Sequence, residues 1–179
     1  MNAPAIPFAP RTARTSDGIE YHIRAITPAD AERERVFIER MSPQSRYLRF
    51  MHCLREPSPE FIADLVNVDQ RRTMALVALT GAGPAEHMIG VARYAADEGG
   101  EDCEFAVAVA DDWQCRGIGT TLIPLLFEHA ARAGFRSIYG VILAGNTRMI
   151  EMAEWLGLTV EPASPGQETV RAVRRLRER

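Results

Sequence analysis

A short segment between residues 103 and 133 constrains the fold of this chain more than any other. Cys103–Ala110 (CEFAVAVA) has the period-two pattern of a strand, and an apolar helix is predicted over Gly117–Ala133. The connecting sequence WQCRGIGT contains two glycines, Gly117 and Gly119. Where a strand enters a helix through a glycine turn, the first N–H groups of the helix remain free to bind an anion. The segment therefore predicts an anion-binding turn in a fold of strands and helices.

Hydrophobic periodicity and turn residues predict the other elements. The predicted strands are Gly18–Ile26, Thr73–Thr80, His87–Tyr94, Cys103–Ala110, Ser137–Leu143, Leu158–Val160 and Thr169–Val173. The predicted helices run from Thr27 to about Arg40, Ser42 to Arg49, Ser58 to Val66, Gly117 to Ala133 and Asn146 to Leu156. This order predicts a mixed α/β (α+β) domain rather than the strict alternation of a dinucleotide-binding unit. At Pro124, inside the fourth helix, we expect a kink rather than a helix end.

The composition argues against several classes of protein. A chain of 179 residues, 46% hydrophobic and 25% charged, fits one soluble domain. It has no apolar run long enough to span a membrane, and a net charge of −3 gives no reason to expect nucleic-acid binding. The three cysteines are widely separated and the four histidines lack ligand spacing. We therefore expect no metal and a reducing, cytoplasmic location.

The two ends of the chain differ in character. Residues 1–15 contain three prolines and no acidic residue, which predicts a flexible arm without the apolar core of a signal peptide. Residues 16–176 are predicted to form the folded domain. All 21 cationic residues are arginine, and lysine is absent.

The glycine turn resembles the Gln-x-x-Gly-x-Gly motif that binds acyl-CoA pyrophosphate in the GNAT superfamily of N-acetyltransferases. The matching residues are Gln114, Gly117 and Gly119. A second match is Asn146, near the start of a helix that ends in residues 155–158, Trp-Leu-Gly-Leu. The turn has neither the Gly-Lys-Ser/Thr of a P-loop nor the Gly-x-Gly-x-x-Gly of a dinucleotide site. The resemblance implies the GNAT fold, a mostly antiparallel central sheet with splayed central strands and flanking helices.

Three segments resemble more closely the GNAT domain of bacterial protein-lysine acetyltransferases that modify acyl-CoA synthetases. They are Ser45–Phe50 (SRYLRF), Glu104–Val109 and Asp111–Gln114, within a similarity that covers roughly residues 15–175. SRYLRF is the most discriminating of them, because other GNAT members lack it. The resemblance implies acetyl-CoA as the acyl donor and a lysine-bearing protein, such as an acyl-CoA synthetase, as the acceptor. Position 153 is alanine, where many GNAT enzymes have a tyrosine as general acid, and the protein-lysine group also tends to lack that tyrosine.

The resemblance also assigns the cofactor-binding residues. Backbone groups of Val107, Ala108 and Val109 would pair with the pantetheine arm, and Asn146 would hydrogen-bond the pantetheine or the region near the thioester. The residues assigned to the pyrophosphate turn are Gln114, Cys115, Arg116, Gly117, Ile118, Gly119 and Thr120. Each assignment has a plainer alternative: a core strand, a helix N-cap at Asn146 and a tight turn at the glycines. Cys115 stands where the resembling enzymes often have glycine, and we expect its backbone N–H to bind.

Glu104 is the candidate general base. It is the one acid within the apolar strand, and residues 104, 106 and 108 share a face on which alanines leave space. In the resembling lysine acetyltransferases a glutamate in this place is taken as the base. We expect the neighbouring apolar residues to bury it; the alternative is a solvent-facing residue at the start of the strand. The N–H of Val107 is the candidate donor to the developing oxyanion.

Three functions fit the sequence. The first is a protein-lysine N-acetyltransferase, the second a small-molecule amine N-acetyltransferase and the third a non-catalytic acyl-CoA-sensing domain. Residues 97–104 carry five acids that would attract a cationic acceptor, although a solvated hairpin explains them equally.

Overall fold

The structure, a computed structural model, describes residues 4–162 and 166–177. It contains one eight-stranded sheet with the order β1-β2-β3-β4-β5-β6-β8-β7. The strands are β1 Arg11–Arg14, β2 Glu20–Ala25, β3 Thr73–Thr80, β4 His87–Ala96, β5 Asp102–Val109, β6 Ser137–Leu143, β7 Thr159–Glu161 and β8 Thr169–Arg175. The helices are α1 Ala31–Arg40, α2 Pro43–Phe50, α3 Pro59–Val66, α4 Ile118–Ala133 and α5 Thr147–Trp155. The mixed α/β prediction is confirmed, and every described strand pairing except β5–β6 is antiparallel.

Local sequence signals place most of the element boundaries well. Ser42 and Ser58 cap α2 and α3 by accepting hydrogen bonds from backbone N–H groups, and a proline follows each cap. Helix α4 continues through Pro124 as expected. It ends at Gly134, whose φ of 100° gives the left-handed cap that glycine adopts without strain.

The N-terminal segment differs from the prediction. Arg11–Arg14 pair with residues 20–23 and form the edge strand β1, so the flexible arm predicted for residues 1–15 is wrong over this stretch. The N–H of Ile6 also donates to the carbonyl of Gln70 at 3.1 Å, and the Ile6 carbonyl lies 2.9 Å from Nε2 of His129. Prolines do exclude a helix here, but they do not prevent residues 11–14 from pairing with the neighbouring strand β2 across a short turn.

The two faces of the sheet carry separate hydrophobic cores. Helix α4 packs on one face, where Phe105 of β5 is buried. Helices α1 and α3 pack on the other face, where Ala108 of β5 is buried. Because side chains alternate along a strand, residues 104, 106 and 108 share the α1–α3 face, as expected.

The central strands β5 and β6 separate along their length. They run parallel and pair only at Asp102 with Ser137, Cys103 with Ile138 and Glu104 with Tyr139. Beyond Glu104, β5 stays paired with β4 and β6 stays paired with β8, so each strand keeps one neighbour. The predicted splay is therefore confirmed, and it opens a gap at the end of the sheet where α4 and α5 begin.

The first prediction concerns the packing beside this gap. An alanine Cβ at Gly140 of β6 would lie 2.8 Å from Cε1 of Phe105. The Phe105 ring packs edge-on against the Phe127 ring, with the two ring centroids 5.2 Å apart. We expect Gly140→Ala to lower the free energy of unfolding by about 1–3 kcal/mol through overpacking, measured by thermal or chemical denaturation. The control is Gly145→Ala, where a Cβ would meet no atom within 4 Å. Equal stability of the two variants would contradict the packing.

Candidate functional site

The gap between β5 and β6 opens into a cleft of about 780 Å³, within the range of small-molecule sites. One wall is β5 from Glu104 to Val109, and the floor includes residues 140–142 of β6. The turn before α4 and the start of α5 close one end. Helix α2 contributes the remaining wall through residues 48–50.

The backbone of β5 presents alternate residues to the gap. The N–H of Ala110 donates to the Ile89 carbonyl of β4 at 3.0 Å, so the even-numbered residues of β5 direct their backbone groups at β4. Val107 and Val109 therefore direct their backbone groups into the gap. Ala108 does not: its backbone points at β4, contrary to the expectation, and only its side chain contributes to the cleft wall.

The turn before α4 has the geometry of an anion site. Gly117 adopts a φ of 86°, and Cys115 adopts a φ of 60°. No described residue accepts a hydrogen bond from the N–H groups of residues 115–120, because the first helical bond runs from Thr121 to the Gly117 carbonyl. These free donors at a helix N-terminus favour an anion. The left-handed backbone at Cys115 also explains why a glycine suits this position.

The side chain of Gln114 connects three elements of the protein and is not free to bind a ligand. Its Nε2 donates to the Val109 carbonyl at 3.2 Å and to Oγ of Ser45 at 3.4 Å. Its Oε1 accepts from Nη1 of Arg148 at 3.3 Å. One side chain thus joins the end of β5, helix α2 and helix α5 around the cleft.

The structure does not bring Arg116 to the cleft wall. Its guanidinium forms an ion pair with Asp17 at 2.9 Å and lies over the Trp113 ring, 5.1 Å from the centroid. The Arg116 carbonyl accepts from the N–H of Ser16 at 3.0 Å. Arg116 therefore connects the turn to the residues between β1 and β2. Only its backbone N–H remains available for the expected contact with phosphate.

Asn146 lies at the opposite rim of the cleft and caps α5. Its Oδ1 accepts from the N–H of Met149 at 3.3 Å, which is the helix N-cap anticipated as the plainer role. Position 153, on the same helix, is buried at 1% exposure within the core. The side chain at 153 therefore faces the packing of α5 and not the cleft.

Glu104 lines the cleft, but it is exposed rather than buried as expected. It occupies the last paired position of β5 and β6, so its side chain lies at the mouth where the strands separate. The neighbouring alanines leave space without enclosing it. Burial, and after it the charge of Glu104, raises the pKa of Tyr139, its partner across the strands.

Helix α2 is held to the cleft by a carboxylate at the end of β5. Asp111 accepts from the N–H of Ser42 at 2.9 Å, from Oγ of Ser42 at 2.9 Å and from Oγ of Ser45 at 2.6 Å. Partial burial acts to raise the pKa of Asp111, but these hydrogen bonds outweigh it and hold the pKa below its usual value. The contacts join two of the segments that carried the family resemblance.

Arg49 of α2 is among the cleft residues that sequence analysis did not assign to the site. It lies within SRYLRF, which was noticed as a motif and not as part of the site. Burial, followed by repulsion from Arg93, lowers the pKa of Arg49 to about 10. The resemblance carried by SRYLRF, the most discriminating of the three segments, was the available signal in the sequence.

Metal ligands and membrane spans are absent from residues 4–162 and 166–177 by the following two criteria. Within these ranges no three histidine, cysteine, aspartate or glutamate side chains cluster as metal ligands. None of the helices described there is long and apolar enough to cross a membrane.

The second prediction tests the anchoring of α2. We expect Asp111→Asn to lower the melting temperature by roughly 2–4 °C at pH 7, because charge-assisted hydrogen bonds to Ser42 and Ser45 are weakened. A carboxylate with a lowered folded pKa stabilises the protein above its unfolded pKa and loses that effect as the pH falls. The difference from the wild type should therefore shrink below about pH 4.

The neighbouring exposed carboxylate supplies the control for this measurement. Asp112→Asn makes the same chemical change one residue away, where no hydrogen bond to a described side chain is lost. Its melting temperature should match the wild type. If the two variants have the same melting temperature at every pH, Asp111 does not anchor α2.

Comparison with known proteins agrees with this geometry. The profile of the "Acetyltransferase (GNAT) family" matches residues 33–158. "Acetyltransferase PA5475" of Pseudomonas aeruginosa is 40% identical over 143 residues, 79% of this chain and 76% of that protein. "Acetyltransferase Pat" of Mycolicibacterium smegmatis is 29% identical over 152 residues, 84% of this chain but 44% of that protein.

The crystal structure of the GNAT domain of S. lividans PAT superposes with a TM-score of 0.84 at 26% identity. The match covers 93% of this chain and 96% of that domain. The profile, the curated relative from Pseudomonas aeruginosa and the structural neighbour thus agree on the family. The chain belongs to the GNAT family of acetyltransferases.

Proposed function

We propose that this protein transfers an acetyl group from acetyl-CoA to a lysine side chain of another protein, with an acyl-CoA synthetase as the expected class of acceptor. The observation that carries the proposal is the splayed gap between β5 and β6, which leads directly to the free N–H groups before α4. The SRYLRF segment, placed beside that gap in α2, supports a protein acceptor through its resemblance to the protein-lysine group.

The donor would bind along the gap. The N–H groups of residues 115–120 would hold the pyrophosphate, with the α4 dipole adding to the attraction. The pantetheine arm would take the place of a strand beside Val107. Asn146, already oriented as a helix cap, would bound the arm from the α5 side.

The reaction needs a neutral amine, and only about one free lysine in a thousand is neutral at pH 7. Glu104, at the open mouth, would accept the proton that the amine nitrogen loses as it bonds to the thioester carbonyl carbon. The Val107 N–H would donate to the carbonyl oxygen as it becomes an oxyanion. The C–S bond then breaks, and CoA leaves as the thiolate without a tyrosine acid at position 153.

The exposure of Glu104 favours a macromolecular acceptor. A lysine on another protein can extend its side chain into the mouth while its backbone stays outside. The cleft volume also admits a free amine, so a small-molecule acceptor remains the second candidate. A non-catalytic acyl-CoA sensor would use the same donor site and would not depend on Glu104.

The third prediction separates catalysis from sensing. We expect Glu104→Gln to lower kcat about a hundredfold or more with little change in acetyl-CoA affinity, because only proton removal is lost. CoA release is followed with a lysine peptide as acceptor, and acetyl-CoA binding by calorimetry. Glu98→Gln, an exposed acid of the same hairpin, is the matched control and should keep full activity. Near-normal turnover of Glu104→Gln would remove it as the base.

The fourth prediction tests the pyrophosphate turn. Cys115 lies in the cleft wall with an exposed side chain, and Cys53 is exposed but outside the cleft. Saturating acetyl-CoA should slow the alkylation of Cys115 about tenfold or more by covering the turn, while Cys53 reacts at an unchanged rate. Peptide mapping by mass spectrometry distinguishes the two sites. Equal protection of both, or of neither, would contradict binding at this turn.

A further inference from the structure

Arg49 stands apart from the other arginines that the structure describes. Among them it is the one that is not exposed and yet has no side-chain hydrogen bond or ion pair with a described residue. Its guanidinium carbon lies 4.9 Å from the centroid of the Phe50 ring, and the side chain lines the cleft together with Glu104. Half-buried guanidinium groups are ordinarily paired, because a partly desolvated charge without a partner is unfavourable.

The charges around Arg49 leave it as an excess cation. Glu34 is buried and Arg93 is partly buried, and Nη2 of Arg93 donates to Oε1 of Glu34 at 2.6 Å. Nη1 of Arg93 donates to the Leu65 carbonyl at 3.0 Å. That pair is therefore neutral as a unit, and the positive charge of Arg49 is not cancelled by it.

Glu104 is the other anion within electrostatic reach of Arg49. In the proposed reaction Glu104 becomes neutral when it takes the proton from the amine. Arg49 then faces the acceptor end of the cleft without a compensating charge. A second anion at that end would balance it throughout the reaction.

We propose that Arg49 is a specificity residue that binds a carboxylate of the acceptor next to the amine that is acetylated. The inference rests on the proposed function and narrows its substrate class to amines with a neighbouring acid. A guanidinium offers two parallel N–H donors that match a carboxylate. Helix α2 holds it in place, since Asp111 fixes the start of that helix through Ser42 and Ser45.

The carboxylate has two possible sources, which matched acceptors distinguish. One pair consists of single-lysine peptides with Asp or Asn at the positions beside the lysine. The other pair consists of free lysine, blocked at its α-amino group, with its carboxylate or with a carboxamide. Acetyl transfer from acetyl-CoA is measured as kcat/KM for each member, by chromatography of the acetylated product.

The wild type should prefer the acidic member of at least one pair about tenfold, mainly through KM. Arg49→Gln should reduce that preference to about twofold or less, and Arg49→Lys should restore part of it. Arg40→Gln, which removes an exposed cation outside the cleft, should leave the preference intact. A preference in the peptide pair alone identifies a side-chain carboxylate of the acceptor, and a preference in the amino-acid pair alone identifies a free one.

Equal use of both members of each pair by the wild type would overturn the proposal. So would a preference that survives in Arg49→Gln. If Arg49 serves only to balance Glu104, the variant should lower kcat equally for acidic and neutral acceptors, and this outcome also rejects carboxylate binding.

A binding measurement keeps this inference separate from the proposed function. The acetylated products of the same pairs are titrated into CoA-loaded protein by calorimetry or NMR, which requires no turnover. Tighter binding of the acidic products that is lost in Arg49→Gln supports the carboxylate site even if no transfer is seen. If the acidic and neutral products bind with equal affinity, the carboxylate site is overturned even if acetyl transfer occurs.

Discussion

The functional geometry depends on the point at which β5 and β6 stop pairing. The two strands share a ladder only to Glu104, and each then relies on its outer neighbour, β4 or β8, for hydrogen bonds. This keeps the sheet intact while Val107 faces an open edge. Backbone donors and acceptors at an open edge favour a ligand that can hydrogen-bond like a strand. The same separation sets Glu104 at the mouth and directs the gap toward the start of α4.

A second set of contacts fixes the positions of the cleft walls relative to one another. Asp111 binds the first turn of α2, and Gln114 connects that helix to the end of β5 and to Arg148 on α5. Asp111 and Gln114 are far in the sequence from Ser45, and their contacts with it link the SRYLRF segment to the turn before α4. The resemblance carried by both segments thus has a structural basis, since each one positions the other. The same contacts hold Arg49 at a fixed place relative to Glu104.

Much of this could be predicted from sequence because the signals are local. The cap at Gly134, the serine-proline starts of α2 and α3 and the period-two pattern of β5 each depend on a few adjacent residues. The edge strand Arg11–Arg14 pairs with residues 20–23 of the next strand in the chain. It was missed because its sequence, Arg-Thr-Ala-Arg, lacks the apolar alternation that marks a strand.

Features set by tertiary contacts were predicted less well. The exposure of Glu104 depends on where the parallel pairing ends, and the backbone direction of Ala108 depends on which residues bond to β4. Arg49 was overlooked because its lack of a partner is visible only when every neighbour has been placed. Periodicity describes which face a side chain occupies, but it does not show how far a neighbouring strand continues.

The most direct test of this account is to map new acetyl-lysines after incubating the protein and acetyl-CoA with a lysate from its own source. The chain contains no lysine, so every acetyl-lysine found must belong to another protein. The account predicts a small set of modified lysines with the wild type, and the loss of that set when Glu104 is replaced by glutamine. Acetylation confined to small amines, or a set of modified lysines that persists without Glu104, would contradict it.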